Sequence, residues 1–258
     1  MDHATDDGTV RAHVGLICNP DHDVFGVVAD RLRRRGLRVT VFAPGRELTE
    51  PELAELDLLM NKKVAPASVR ALAAAERRGL ATWNGYWTVL LGARFVGYSA
   101  LERAGARVPP AATDPPEGEY VAKSPVDWHT APDPERNGEG TVYQELVAAE
   151  PVDYKYYAVD TGRETVVRVL RTTSKLHGEK RPLGMVEPAP GPAATVRRLL
   201  ALTDTQAIGV DFLRAEGEWY AVDVNPAMSF RNAGMETELV ASVLARLPAT
   251  AAQPLVDA

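Results

Sequence analysis

The sequence has 258 residues, 45% of them hydrophobic, enough apolar material to bury one large core or two to three small ones and too much for a chain disordered throughout. Its formal net charge of -6 excludes a general attraction to nucleic acid or anionic membrane, while a local basic pocket remains compatible with it. Met1 to Gly8 is polar and acidic without the apolar core of a signal peptide, and no later stretch approaches a membrane-spanning length, so a soluble cytoplasmic protein acting on small molecules is expected. The only cysteine, Cys18, ends the apolar run from His13, which makes it a buried strand thiol and rules out an intrachain disulfide.

In chain order, short β-branched runs at 13–18, 38–42, 56–60 and 80–83 predict strands, and the intervening patterns predict helices at 24–35 and 66–78. Gly36 and Gly79 fall where helix C-caps are wanted. Strands and helices on this spacing predict a parallel sheet with helices on its faces. A further helix over 88–104 ends at Gly105, Pro109 and Pro110 prevent its continuation, and 109–118 reads as a proline-rich linker. Strands at 120–123, 142–147, 154–159 and 164–171, with little helix between them, then predict an antiparallel α+β section. The loop 124–140 is polar and rich in glycine and proline. A helix at 193–202, strands at 207–213 and 219–224 and a helix at 235–247 complete the elements, and 249–258 reads as a tail.

The chemistry concentrates in the last two strands. Gly209-Val210-Asp211-Phe212 and Ala221-Val222-Asp223-Val224-Asn225-Pro226 are apolar strands joined by a turn at Glu216-Gly217-Glu218, each carrying polar side chains in apolar company. Asp223 and Asn225 lie two apart and share a face, and Asp211 can lie beside them on the neighbouring strand. Three such oxygen donors suit magnesium, which takes one or two carboxylates and completes its shell with water and phosphate oxygens. The plainer alternative is a pair of solvated strand acids.

Gly-Val-Asp-Phe followed by a hairpin and Asp-Val-Asn-Pro resembles the closing signature of the ATP-grasp superfamily, whose usual version ends in Glu-x-Asn and supplies magnesium ligands; Asp223 stands where glutamate is commoner. Other pieces follow the family order along residues 84–234. Asn84, then Gly92-Ala93-Arg94 and a helix ending in Gly105 and Pro109, resembles the stretch whose cation contacts nucleotide phosphates, which implies that role for Arg94. Val121-Ala122-Lys123-Ser124 resembles the central-strand lysine. Val142 to Val147 resembles the hinge that reads adenine, implying Glu145 with the backbone of Leu146 and Val147, and Glu150 or Asp153 as the ribose contact. Asp153-Tyr154-Lys155 resembles the Asp-x-Arg/Lys strand, followed by a cationic strand with Arg168 and Arg171 and then Lys175. By their odd spacing Arg168 and Arg171 face opposite sides of a regular strand, so one of them at most is expected in the site. Arg231, just after the metal strand, is expected to touch the acceptor.

The resemblance is to the carboxylate–amine ligase type, similar to the ribosomal-protein glutamate ligase and glutathione synthetase group, with some likeness to inositol-phosphate kinases. It implies an α/β N-terminal domain over 1–108 and two α+β ATP-grasp lobes, a small one over 109–152 and a large one with the metal site over 153–258. ATP and Mg2+ are the implied cofactors, and small carboxylate and amine molecules the implied substrates, joined through an acyl phosphate. The implied site comprises Lys155, Arg171 and Arg231 for catalysis, Arg94, Lys123, Gln144, Glu145, Leu146, Val147 and Asp153 for nucleotide, and Asp211, Asp223 and Asn225 for metal. Two alternatives stand beside it: a kinase for a small polyol or phosphate acceptor, and a nucleotide-binding protein with little turnover, the latter because only Gly138-Glu139-Gly140 remains of the long glycine-rich flap. His3, His13, His22, His129 and His177 show no paired metal spacing, and neither a Gly-x-Ser-x-Gly elbow nor a Walker lysine loop is present.

Overall fold

In the computed structural model, whose described residues are 12–126, 141–174, 176 and 178–248, the first apolar run forms β1 (His13–Ile17), buried along its whole length. After it come α1 (Asp23–Arg33), β2 (Arg38–Phe42), α2 (Glu50–Ala54), β3 (Leu58–Asn61), α3 (Pro66–Arg77) and β4 (Ala81–Trp83). The strands pair in parallel in the order β2-β1-β3-β4. Such a sheet needs both faces covered, which is why β1 and β3 read as unbroken apolar runs. The sequence pattern misses α2, a single turn held by a capping box in which Thr49 and Glu52 serve each other's backbone N–H groups.

The helix expected over 88–104 is two helices, α4 (Tyr86–Leu90) and α5 (Arg94–Arg103), broken at Gly92. The corner is tight: a Cβ on Gly97 would stand 2.5 Å from the Leu91 carbonyl oxygen and 3.5 Å from Val224. The stretch expected as a linker contributes β5 (Ala111–Ala112), an edge strand. It pairs with β7 (Val142–Glu145), which also pairs with β6 (Tyr120–Lys123), giving a small antiparallel sheet. The loop residues 127–140, His3, Lys175, His177 and the tail 249–258 lie outside the described residues.

The remaining strands form one antiparallel sheet, ordered β10-β9-β8-β11-β12: β8 (Val152–Asp160), β9 (Thr165–Thr173), β10 (Pro182–Val186), β11 (Ala207–Ala215) and β12 (Glu218–Asn225). β10 escapes a pattern reading because Pro182 and Gly184 look like breakers, yet as an edge strand it pairs only with β9. α6 (Pro190–Thr203) covers one face, where Val196 and Leu199 meet Tyr156, Ala158 and Ile208. α7 (Glu236–Arg246) covers the other, where Leu239 and Val243 join Tyr157 and Val159. Alternate residues of β8 thus serve opposite cores, as the two-residue strand period requires. β11 and β12 are joined by a two-residue turn in which Glu216 and Gly217 have φ of 52° and 82°, the left-handed pair of a type I′ hairpin. No helix among the described residues is long and apolar enough to cross a membrane.

The parallel and antiparallel sheets share a core. Leu16, Phe25 and Trp83 belong to the same buried cluster as Tyr157, Phe230 and Leu239, and the Trp83 indole N–H donates to Ser242 Oγ at 2.9 Å. Asn84 fixes the junction. Buried and at φ 53°, it accepts from the Ala207 and Gln206 backbone N–H groups at 2.9 and 3.2 Å, while its amide donates to the Ala207 and Pro226 carbonyls at 2.7 and 3.1 Å. One side chain therefore ties the end of β4 to the start of β11 and the end of β12.

Truncating Asn84 would leave several buried backbone groups without partners and put a Cβ residue of poor left-handed tolerance at that φ. Asn84→Ala is expected to destabilise the protein by about 3 kcal/mol or more, read as a lowered urea midpoint at unchanged slope.

Candidate functional site

The register of the large sheet brings four charges into a row. Asp211 on β11 pairs directly with Asp223 on β12 and, on its other side, with Lys155 on β8. The Lys155 amine donates to both Asp211 oxygens, at 2.6 and 2.9 Å. Arg94, the first residue of α5, reaches Asp223 from the opposite end, so the order is Arg94, Asp223, Asp211, Lys155. Two carboxylates side by side across a ladder repel by about 0.2–1 kcal/mol, whereas a buried acid stripped of its partner costs about 3–5 kcal/mol, so the flanking cations decide whether the pair is tolerated. Burial alone would raise the Asp211 pKa, but Lys155, then Lys180 and Lys123, outweigh it and hold the carboxyl below its ordinary range. For Lys155 burial works against the charge, and Asp211 reverses the balance, raising its pKa.

A bulge in β12 sets the third cation. Asp211 faces Asp223 but Phe212 faces Ala221, so Val222 is an extra residue. Its carbonyl accepts from the Lys123 amine at 2.7 Å, and Gln144 Oε1 accepts from the same amine at 2.6 Å. Lys123 and Gln144 are both buried, and Tyr98 OH stands 3.3 Å from the amine. Arg94 is held by the same strand end: its backbone N–H donates to Pro125 at 2.8 Å and its Nε to the Ser124 carbonyl at 3.1 Å.

These groups line one cavity of about 360 Å³ between the small and large sheets. Its lining combines apolar side chains, Val121, Val147, Leu176, Leu213 and Val222, with the four charges in the row, Asn225 and Lys180. Asn225 lies two residues beyond Asp223, and its Oδ1 accepts from the Ala227 N–H at 2.9 Å. Asp153 faces the same space, its carboxyl raised by burial and by Asp211, with Lys180 4.0 Å away. Glu150, the other ribose candidate, is exposed and absent from the lining. At the hinge the Glu145 and Leu146 N–H groups are taken by the Pro110 and Glu119 carbonyls, both at 2.9 Å, and among the described residues no carbonyl takes the Val147 N–H. Gln144 orients Lys123 and also donates to the Pro109 carbonyl at 3.4 Å.

Of the residues singled out from sequence, the structure brings Arg94, Lys123, Gln144, Glu145, Leu146, Val147, Asp153, Lys155, Asp211, Asp223 and Asn225 together around this cavity. It does not bring Arg171 there. Arg171 pairs with Tyr154 in the β8–β9 ladder and lies over that ring at 5.7 Å, on the α6 face, because β9 residues opposite even-numbered β8 residues point away from Lys155. Arg168, on the other face, binds Glu238 at 2.6 Å and the Ala233 and Gly234 carbonyls. The two arginines do face opposite sides of β9, and neither lines the cavity.

Arg231 lines an adjoining cavity of about 710 Å³, paired with Asp23 at 3.1 Å. Lys155, Lys180 and Asn225 line both spaces and form the wall between them. Sequence reading missed Lys180, whose signal was its place just before the edge strand β10. Burial lowers the Lys180 pKa to about 8 with help from Lys155, against the pull of Asp211. It also missed His22, Lys62 and Lys63, which follow β1 and β3 at the carboxyl ends of the parallel strands, where ligands of such sheets bind. Gly209 supports the same wall: a Cβ there would stand 1.9 Å from the Met228 methyl, so the glycine lets the loop after β12 fold back over β11.

No protein-family model and no curated protein matches this sequence. Solved structures do. The ATP-grasp ligase PsnB, complexed with a phosphomimetic variant of its minimal precursor, Mg and ADP, matches with a TM-score of 0.64 at 18% identity, over 91% of this chain and 98% of that one. An ATP-grasp RimK domain protein from Sphaerobacter thermophilus matches at 0.66 and 17% identity, over 91% and 98% of the two chains. N5-carboxyaminoimidazole ribonucleotide synthetase from Thermotoga maritima matches at 0.66 and 14% identity, over 95% of this chain and 78% of that one. The chain has the ATP-grasp fold.

One titration is readable from the geometry. His22 caps α1, its ring nitrogen accepting from the Phe25 N–H at 3.4 Å, and burial together with Lys62 and Arg231 lowers its pKa to about 4. The unfolded chain, with a histidine near 6.5, then holds more protons between the two values, so stability is full above about pH 6.5 and falls as pH drops toward 4. His22→Asn keeps a capping oxygen and removes the titration. The wild type is expected to lose about 2–3 kcal/mol more than this variant between about pH 6.5 and pH 4, measured by urea unfolding.

Proposed function

We propose that this chain is an ATP- and Mg2+-dependent carboxylate–amine ligase, divided into an N-terminal domain over 1–108, a small lobe over 109–152 and a large lobe over 153–258. The observation that carries the reading is the cavity whose lining brings Asp211, Asp223 and Asn225 together with Lys123, Lys155 and Arg94, beside apolar side chains from the same strands. A flat base suits the apolar part of the lining, with the Val147 N–H as hinge donor and Asp153 as the acid for the ribose. The charged residues suit the triphosphate, with Lys123 as a fixed point charge and Arg94 as a fork for two phosphate oxygens. The PsnB structure, a complex with Mg and ADP, supports the same assignment.

The donor set fits Mg2+. Two carboxylates and an amide oxygen are hard ligands, and among the described residues no three His, Cys, Asp or Glu side chains cluster into a complete protein cage, as expected for an ion that shares its shell with phosphates and water. Asp211, Asp223 and Asn225 would hold the ion, which when bound would neutralise phosphate oxygens.

In the reaction, a carboxylate oxygen of the substrate attacks the γ-phosphorus in line and the bond to the β-phosphate oxygen breaks, giving ADP and an acyl phosphate. An amine then attacks the acyl carbon, loses a proton, and inorganic phosphate leaves. Lys155, in the wall between the two cavities, is placed to hold the transferring phosphoryl oxygens, and the fixed positive charges stabilise the transition state without rearrangement. The bound nucleotide would be drawn from the cytoplasm, where we place the enzyme.

Purified protein supplied with ATP, Mg2+ and a panel of carboxylates and amines is expected to release ADP and inorganic phosphate in equal amounts. A kinase would release ADP without free phosphate. Asp223→Ala is expected to lower turnover by about 100-fold or more while the fold persists by circular dichroism; undiminished turnover in that variant refutes the metal assignment.

A further inference from the structure

The larger cavity has a charge pattern at odds with the rest of the molecule. Among the described residues its wall carries Lys62, Lys63, Lys155, Lys180 and Arg231 and no carboxylate, in a chain whose net charge is -6. Three of these cations have acids behind them: Asp211 for Lys155, Asp153 for Lys180 and Asp23 for Arg231. Among the described residues no carboxylate stands within 4.0 Å of Lys62 or Lys63. Lys62 is 4% exposed, and its amine meets only neutral groups, the Ala227 carbonyl and the Phe25 ring, whose centre is 5.6 Å away. A buried ammonium with only such partners is held at a cost that an incoming anion removes.

The location is equally specific. In the parallel sheet the chain runs from β1 outward to β2 and then returns to the other side of β1 as β3, so the order reverses between β1 and β3. The loops after those two strands supply Asn19 and His22 on one side and Lys62 and Lys63 on the other. This is the crevice in which open α/β sheets bind ligands. At about 710 Å³ it has the size of a small-molecule site, and its floor is the wall of Lys155, Lys180 and Asn225 shared with the proposed nucleotide cavity.

We infer that this cavity binds the carboxylate substrate, and that this substrate is a small polyanion: its reacting carboxylate lies at the shared wall and a second anionic group, carboxylate or phosphate, is held by Lys62 and Lys63 with Arg231 at the rim. The inference rests on the ligase reading for the direction of transfer, and on the cavity alone for the charge of the ligand. The lowering of the Lys62 pKa to about 8, caused first by burial, agrees with an amine that lacks a counter-charge.

The test separates the two. The full chain is first titrated with a non-hydrolysable ATP analogue and Mg2+; absence of binding defeats the ligase reading and leaves the second step intact. Succinate, citrate and phosphonoacetate, with butyrate as the single-charge control, are then titrated calorimetrically into protein with the nucleotide site filled, or into the free protein if it does not fill. At least one polyanion is expected to bind about tenfold or more tighter than butyrate, and Lys63→Glu is expected to weaken it by about tenfold or more while the affinity for the ATP analogue stays within about twofold. Lys62→Met is the second variant, read only if its thermal unfolding remains cooperative; Lys63→Glu, at a half-buried position, decides the matter without it. Equal binding of butyrate and the polyanions, or polyanion binding indifferent to Lys63→Glu, overturns the inference. So does turnover confined to acidic peptides whose affinity is unaffected by Lys63→Glu, since the second anion-binding region would then lie elsewhere.

Discussion

The row Arg94, Asp223, Asp211, Lys155 is the constraint on which the rest of the structure turns. Two carboxylates set side by side in a largely buried ladder repel each other and resist desolvation, and no packing of apolar side chains compensates for that. Their persistence requires a cation at each end. One comes from a neighbouring strand of the same sheet and the other from the first residue of a helix, so β8, β11, β12 and α5 must assemble together for the row to exist. The arrangement is poor as a source of stability and well suited to a site, because Lys155 holds Asp211 ionised and the cations are fixed in place by their neighbours.

The backbone works toward the same end. The one-residue bulge at Val222 turns a carbonyl toward Lys123, and Gln144, drawn from the small sheet, takes the same amine. The lysine is thus fixed by both sheets that bound the cavity. Asn84 does the corresponding work at the junction with the parallel sheet, its one amide meeting backbone groups at the start of β11 and the end of β12. Because Gly209 has no Cβ, Met228 packs across β11 and the loop after β12 carries Arg231 toward the second cavity. Packing contacts therefore set the depth and charge of both spaces.

Much of this was legible in the sequence. Apolar periodicity located nearly every strand of the two larger sheets, since a strand's two-residue alternation is local and each run was bounded by glycine, proline or charge. The acids of β11 and β12 were legible for the same reason: a two-residue spacing decides which side chains share a face, whatever the rest of the chain does. The misses have physical causes as well. β10 carries Pro182 and Gly184, tolerated only because it is an edge, and β5 is a two-residue strand made by its partner. Arg171 was placed in the site on charge and order alone, whereas its pairing with Tyr154 turns it to the opposite face.

The sequence by itself determined the parallel sheet of the first third, the antiparallel hairpin that ends in Asp223 and Asn225, and the set of polar residues from which a site could be built, because each depends on spacing within one segment. Only the tertiary structure decided that Lys155 and Arg94 flank the two acids, that Lys123 is shared between two sheets, and that Lys62, Lys63 and Arg231 surround a second cavity. Those are contacts between segments tens to more than a hundred residues apart, and strand order, register and the close approaches at Gly97 and Gly209 select them from combinations that local pattern leaves equivalent.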